Sequence, residues 1–324
     1  MKKRSEFFLF CTTLFRDAPR STAFCHNSRR TYRTARRFLA PEEGSDLFLS
    51  QVENTVEKVL KNHNLEDDIL ALPSNEREAV GVARHLRQRL ENLRRNDDCP
   101  RCWMQRAHCI CSQCPPVSKS LAPTLGRIFL LLHHKEIAMK VDTAKLILAA
   151  FPTQSRLVVG GIGSEYQDSM KEMTQAMKNK NCLVLFPDET AQTFSEIVAD
   201  NSDHDDSEGQ GTWDVIVIDG TWSQARKLQA RYIPSLQQGG PRRVQLSDGA
   251  VELLERGSVD AGHQLRRHSI AWRQVGTFEA TRLFLRDCLW EEDTKGEPVW
   301  EQIQPYQDIA NLAARRELGP PRTK

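Results

Sequence analysis

The residues with the clearest chemical capacity lie in Val215-Ile216-Val217-Ile218-Asp219-Gly220-Thr221-Trp222, with Arg226 and Lys227 one helical turn further on. Asp219 offers a carboxylate that can take a proton, Trp222 a flat face on which a planar ligand can stack. The two cations can meet a phosphate or a carboxylate. Two readings of the turn stand side by side. Asp219 is a ligand-facing group at a strand end, or else Asp219 or Thr221 is a helix N-cap accepting a backbone N–H. Trp222 is likewise a stacking surface or ordinary core packing. The convergence of a carboxylate, an aromatic and two cations on one strand end favours a site.

A second cluster is made of thiols. Of nine cysteines, five fall within residues 99–114, as Cys99-x-x-Cys102, Cys109-x-Cys111 and Cys114. Cysteine pairs on tight knuckles bring thiolates onto one tetrahedral metal, and zinc is the usual occupant. The expected ligands are Cys99, Cys102, Cys109 and Cys111, with Cys114 able to substitute for Cys111 and His108 a bystander. The competing reading of Cys99-x-x-Cys102 is a redox pair, which seldom has a second cluster beside it. Cys11, Cys25, Cys182 and Cys288 are scattered and carry no pattern.

These groups need a scaffold. Four β-branched residues at 215–218 read as a strand buried on both faces, the kind found in parallel sheets. Similar runs occur at Arg127–His133, Arg156–Gly161 and Cys182–Asp188, with a shorter one at Arg242–Leu246. Helical patterns lie between them, at Thr143–Ala150, Ser169–Lys180 and in the run carrying Arg226 and Lys227, which Tyr232-Ile233-Pro234 closes. Strands alternating with helices predict an α/β domain with a mostly parallel sheet. An Asp at the carboxyl end of such a strand stands where open sheets take their ligands. No GxGxxG joins a strand to a helix and no GxxxxGK[ST] occurs, so a dinucleotide fold and a phosphate-loop ATPase are not supported. Gly160-Gly161-Ile162-Gly163 alone is weak evidence of either.

The remaining chain divides by composition. Residues 1–40 carry ten Lys or Arg against Glu6 and Asp17, whereas the whole chain carries a net charge of only +2. The basic excess therefore belongs to the leader, and any RNA-binding patch must be local. The Arg-, Ser- and Thr-rich leader has the composition of an organellar transit peptide, which suggests mitochondrion or plastid. A basic N-terminus on a cytoplasmic or nuclear protein is the other reading. No apolar run approaches the roughly 18 residues of a membrane span. Residues 45–96 predict a helical extension with apolar positions at Leu49, Val52, Val56, Val59 and Leu60, then at Val80, Ala83, Leu86, Leu90 and Leu93. Residues 200–211 read as an acidic surface loop and 291–324 as a C-terminal tail, disordered from Pro305. Thr277 reads as the N-cap of a last helix reaching Cys288.

With these pieces in order, residues 97–290 resemble the DTW-domain family. Asp219-Gly220-Thr221-Trp222 is similar to its Asp-x-Thr-Trp signature, and the cysteines to its zinc knuckle. Leu132-His133-His134-Lys135-Glu136 resembles its Leu-His-Pro-x-Glu segment, with His134 in place of Pro. Phe186-Pro187-Asp188 is similar to its Phe-Pro turn. Leu265-Arg266-Arg267 and Thr277-Phe278-Glu279-Ala280 resemble its Leu-Arg-Arg and Thr-x-Glu-Ala elements. The resemblance implies a fold related to the SPOUT methyltransferases with a knotted cofactor site. It implies transfer of the 3-amino-3-carboxypropyl group from S-adenosylmethionine to N3 of a tRNA uridine. The residues expected to carry that reaction are Asp219, Thr221 and Trp222. Those expected around the cofactor are His133, Glu136, Thr143, Phe186, Pro187 and Asp219. Arg226, Lys227, Arg266 and Arg267 are the expected RNA contacts. A SPOUT-like RNA methyltransferase and a non-catalytic zinc-knuckle RNA-binding protein are the alternatives.

Overall fold

The computed structural model describes residues 47–63, 69–117, 124–202, 212–253, 276–289 and 299–319. The strands are β1 (Leu125–His133), β2 (Ser155–Gly160), β3 (Cys182–Leu185), β4 (Gln192–Thr193), β5 (Trp213–Asp219) and β6 (Arg242–Gln245). They form one sheet in the order β2-β1-β5-β3-β6-β4, with every neighbouring pair parallel. The expected α/β architecture with a parallel sheet is what the chain adopts.

The helices are α1 (Leu47–Asn62), α2 (Ser74–Arg95), α3 (Lys145–Ala150), α4 (Asp168–Ala176), α5 (Phe194–Ser202), α6 (Trp222–Tyr232), α7 (Thr277–Leu289), α8 (Val299–Gln302) and α9 (Pro305–Leu318). Alternate strand residues point to opposite faces of the sheet. Leu130, Leu132, Val215 and Val217 enter a core shared with α1, α2, α3, α7 and α9. Phe129, Leu131, Ile216 and Ile218 enter a smaller core closed by Met170 and Met173 of α4 and by Ala225 and Leu228 of α6. Both faces are covered, so the strands had to be apolar throughout.

The order of strands creates the crevice. From β1 the chain passes through α3 on the larger-core face and leads outward to β2. From the adjacent β5 it passes through α6 on the other face and leads away towards β6. Connections that leave neighbouring parallel strands in opposite directions open a gap at their carboxyl ends. At the amino ends the same two strands are tied by an ion pair. Asp214 accepts from the Arg127 backbone N–H at 2.9 Å, from its Nε at 3.1 Å and from a terminal guanidinium nitrogen at 2.6 Å.

Four expectations need correction. The tail from Pro305 is not disordered: α9 starts there with proline in its first turn and buries Tyr306, Ala310, Ala313 and Ala314 at helical spacing. Small residues and one aromatic carry a weaker hydrophobic signal than Leu or Ile, although their burial docks the helix. The acidic stretch begins inside α5, which reaches Ser202; residues 203–211 lie outside the described residues. The helix expected at Thr143 starts at Lys145, because Asp142 Oδ1 accepts the Ala144 N–H at 2.9 Å and holds the chain in a turn. The 45–96 extension is a helical pair whose apolar stripes join the larger core rather than standing in front of it.

Candidate active site and cysteine knuckle

Asp219 is the last residue of β5, opposite Leu132 of β1, and only 3% exposed. Strand alternation turns it to the same face as Val215 and Val217. There Thr277, at the start of α7, donates its hydroxyl hydrogen to Asp219 Oδ1. This is a correction: the Thr277 side chain, expected to cap its own helix, reaches across to the carboxylate instead.

Gly220 lets the chain turn immediately. Its φ is +152°, and a Cβ would sit 3.1 Å from that of Gln224 and 3.3 Å from that of His133. Thr221 is the N-cap of α6 in a reciprocal capping box. Its Oγ1 accepts the Gln224 N–H at 3.4 Å, while Gln224 Oε1 accepts the Thr221 N–H at 2.7 Å. The capping reading of the turn thus falls on Thr221, while the Asp219 carboxylate is bound by Thr277. Trp222 opens α6 with 38% of its surface exposed, which rules out core packing. Its ring lies 6.1 Å from that of Phe186, tilted by 59°. Phe186 follows β3 and is held by its N–H to Val244 O at 3.1 Å. The pair forms an aromatic wall at the carboxyl edge of β3 and β5, beside the exposed Pro187.

His133 ends β1, with its Nδ1 accepting the Lys135 N–H at 3.3 Å. Its ring stacks on His134 at 4.4 Å, and His85 of α2 meets His134 edge-on at 5.4 Å. Burial first holds all three below the usual imidazole range, with Arg89 and Lys135 adding to it at His85, Lys135 at His133, and the other two histidines at His134, which stands at about 4. Lys227 is among the charges that act on His133, so α6 and the end of β1 face one another. Glu136 is half-buried in the turn after β1, where its N–H donates to His133 O at 2.9 Å. Arg226 and Lys227 are exposed on α6. Arg266 and Arg267 lie outside the described residues.

Thr143 is buried in the turn between β1 and α3, next to Asp142. In the sequence Asp142 and Gln307 do not stand out, and Thr277 reads as a helix cap and as part of the Thr-x-Glu-Ala element, not as a partner of Asp219. A lone Asp in a turn and a Gln in a tail carry no local pattern; only the pairing of β1 with β5 and the packing of α7 and α9 against them bring these residues near Asp219.

The cysteine ligands come together as their spacing predicts. The Sγ atoms of Cys99, Cys102, Cys109 and Cys111 all lie within 4.8 Å of one another. Cys99 and Cys111 are 3.6 Å apart, Cys102 and Cys109 3.8 Å. Tetrahedral zinc with bonds of about 2.3 Å needs sulfur separations of about 3.8 Å, so the donor set fits that ion. The four thiols hydrogen-bond to one another, which lowers Cys99 and Cys109 and raises Cys102 and Cys111; metal binding by thiolates replaces those shared protons. Cys114 stands outside the group, fully buried, its thiol pushed up to about 12 by burial. His108 is also outside it. The knuckle is fastened to α3 and to the turn before it: Arg101 donates to Ala149 O at 2.8 Å, and Lys140 bridges Asp98 and Glu317 of α9.

A parallel α/β sheet with a buried carboxylate at its central crevice, braced by a four-cysteine knuckle, defines the class of protein. The DTW domain family model matches residues 96–305, more than half of the chain, and the chain belongs to that family. Among curated proteins, tRNA-uridine aminocarboxypropyltransferase 2 of Macaca fascicularis is 27% identical over 140 residues, and that of Mus musculus 26%. Each alignment covers 43% of this chain and 43% of the relative, so the match spans less than half of either relative's length. No solved structure matches significantly.

Proposed function

We propose that the protein transfers the 3-amino-3-carboxypropyl group from S-adenosylmethionine to N3 of a uridine in tRNA. The observation that carries this reading is the buried Asp219 carboxylate, steadied by Thr277 and flanked by an exposed Trp222, in a chain of the DTW family. Uracil N3–H is a weak acid, and its nitrogen becomes a strong nucleophile as the proton leaves. Asp219 takes that proton as general base. N3 then attacks the methylene next to the sulfonium, the N–C bond forms as the C–S bond breaks, and the electron pair leaves with neutral methylthioadenosine. The leaving group is good, so the protein's work is alignment of N3 with that methylene rather than with the methyl.

Trp222 and Phe186 offer the stacking face for a splayed-out base, as RNA readers commonly use. Lys227 and Arg226 on the adjoining helix meet phosphates. Cys99, Cys102, Cys109 and Cys111 hold a zinc ion with no open position, a structural role that supports the Asp142–Thr143 turn. Purified protein incubated with tRNA and S-adenosylmethionine should release methylthioadenosine; release of S-adenosylhomocysteine instead would identify methyl transfer. An Asp219→Ala variant should be inactive, and full activity in that variant would remove the assignment of the base.

A further inference from the structure

Beside Asp219 lie three buried polar atoms without a hydrogen-bond partner: Oδ2 of Asp142, Oγ1 of Thr143 and Oε1 of Gln307. Asp142 is 3% and Thr143 7% exposed. They come from the turn after β1 and from α9, and Gly276 joins them. A Cβ on Gly276 would stand 3.3 Å from Thr143 Oγ1 and 3.8 Å from both polar atoms of the Gln307 amide. The next residue, Thr277, is the one that donates to Asp219. The charges of Asp142 and Asp219 act on each other, and burial with that repulsion raises the Asp142 carboxyl well above the usual range.

Folding alone does not account for this arrangement. An unsatisfied buried polar atom costs about 1–3 kcal/mol, and three at one place are rare. Asp142 Oδ1 is used by the Ala144 N–H, which leaves Oδ2 for something else. Lys145 is buried nearby, yet its Nζ donates to the carbonyl oxygens of Lys140 at 2.7 Å and Met139 at 3.5 Å and lies over the Trp103 ring. A ligand group with several N–H donors can satisfy the carboxyl, the hydroxyl and the amide oxygen together, and positive charge on it would favour the ionised form of Asp142.

We propose that Asp142, Thr143 and Gln307 form the subsite for the α-ammonium group of S-adenosylmethionine. This rests on the transfer reaction proposed above. An ammonium has three N–H donors for three acceptors, and its charge answers a buried carboxylate. It sits two carbons from the methylene that is transferred, so anchoring it beside Asp219 turns that carbon, and not the methyl, towards the base.

Calorimetric binding of two ligands to the full chain tests this. S-adenosylhomocysteine carries the amino acid end, and methylthioadenosine lacks it. Asp142→Asn should weaken S-adenosylhomocysteine about tenfold or more while leaving methylthioadenosine within about twofold. Thr143→Val should give a smaller loss of the same selectivity. If Asp142→Asn does not fold, the wild-type protein answers by itself: the analogue of S-adenosylhomocysteine lacking the amino group should bind about tenfold more weakly than the parent. Equal losses for both ligands in the variants, or an unweakened deamino analogue, would overturn the subsite while the transfer reaction stands. A wild-type chain that binds neither S-adenosylmethionine nor S-adenosylhomocysteine would overturn the reaction and the subsite together.

Discussion

Replacing Thr277 by valine should separate the positioning of Asp219 from its presence. The hydroxyl of Thr277 donates to Asp219 Oδ1, and Asp219 is 3% exposed, so water has little access to take the hydroxyl's place. Valine keeps the branched shape and removes only the donor. A hydrogen bond to a charged group contributes about 1.5–3 kcal/mol. If that orientation is used in the transition state, the loss corresponds to about a 10- to 100-fold fall in kcat. KM for tRNA and for S-adenosylmethionine should stay within about twofold, because the side chain acts through Asp219. The assay is single-turnover release of methylthioadenosine from labelled donor at saturating tRNA, with thermal melting run in parallel. Thr277→Ser keeps the donor and should recover most of the rate. A Thr277→Val enzyme that is folded and fully active, or a Ser variant as slow as Val, would refute the positioning role.

Other perturbations probe the scaffold. Purified protein should contain about one zinc per chain by elemental analysis; Cys102→Ala should lose it and melt earlier, and a metal-free wild type with unchanged melting would reject the knuckle as a zinc site. His134 is held at about 4 by burial, His133 and His85, against 6.5 when unfolded. The unfolded chain therefore binds more protons in that window, so stability is full above pH 6.5 and falls towards pH 4. His134→Gln should flatten that acid limb of the melting curve, and an identical limb in the variant would contradict the burial. Tyr306 is 4% exposed, stacks on Phe278 at 6.4 Å and donates its hydroxyl to Pro115 O at 2.6 Å. Truncation to alanine should cost about 3–5 kcal/mol in urea denaturation, as for other buried aromatics, and a loss below about 1 kcal/mol would mean that α9 is not docked.

Much of this protein is written locally. A strand buried on both faces must be apolar without interruption, so Val215–Ile218 and Ile128–Leu132 announce themselves, and their parallel pairing follows from the helices between them. The knuckle is equally legible, because close ligand spacing leaves few ways to arrange four thiols. The apolar stripes of α1 and α2 appear at their helical period, although not the core they join. Tertiary structure alone decided which of Asp219 and Thr221 serves the helix cap, since both residue types can accept a backbone N–H. It also decided that Cys114 is excluded from the thiol group, and that Trp222 faces outward. The strand order lies beyond any local pattern: β5 inserts between β1 and β3, and only then do the Asp142–Thr143 turn, Thr277 and Gln307 gather round Asp219. Those residues carry no periodicity of their own. Their meaning comes from packing between segments far apart in the chain, which no window of sequence contains.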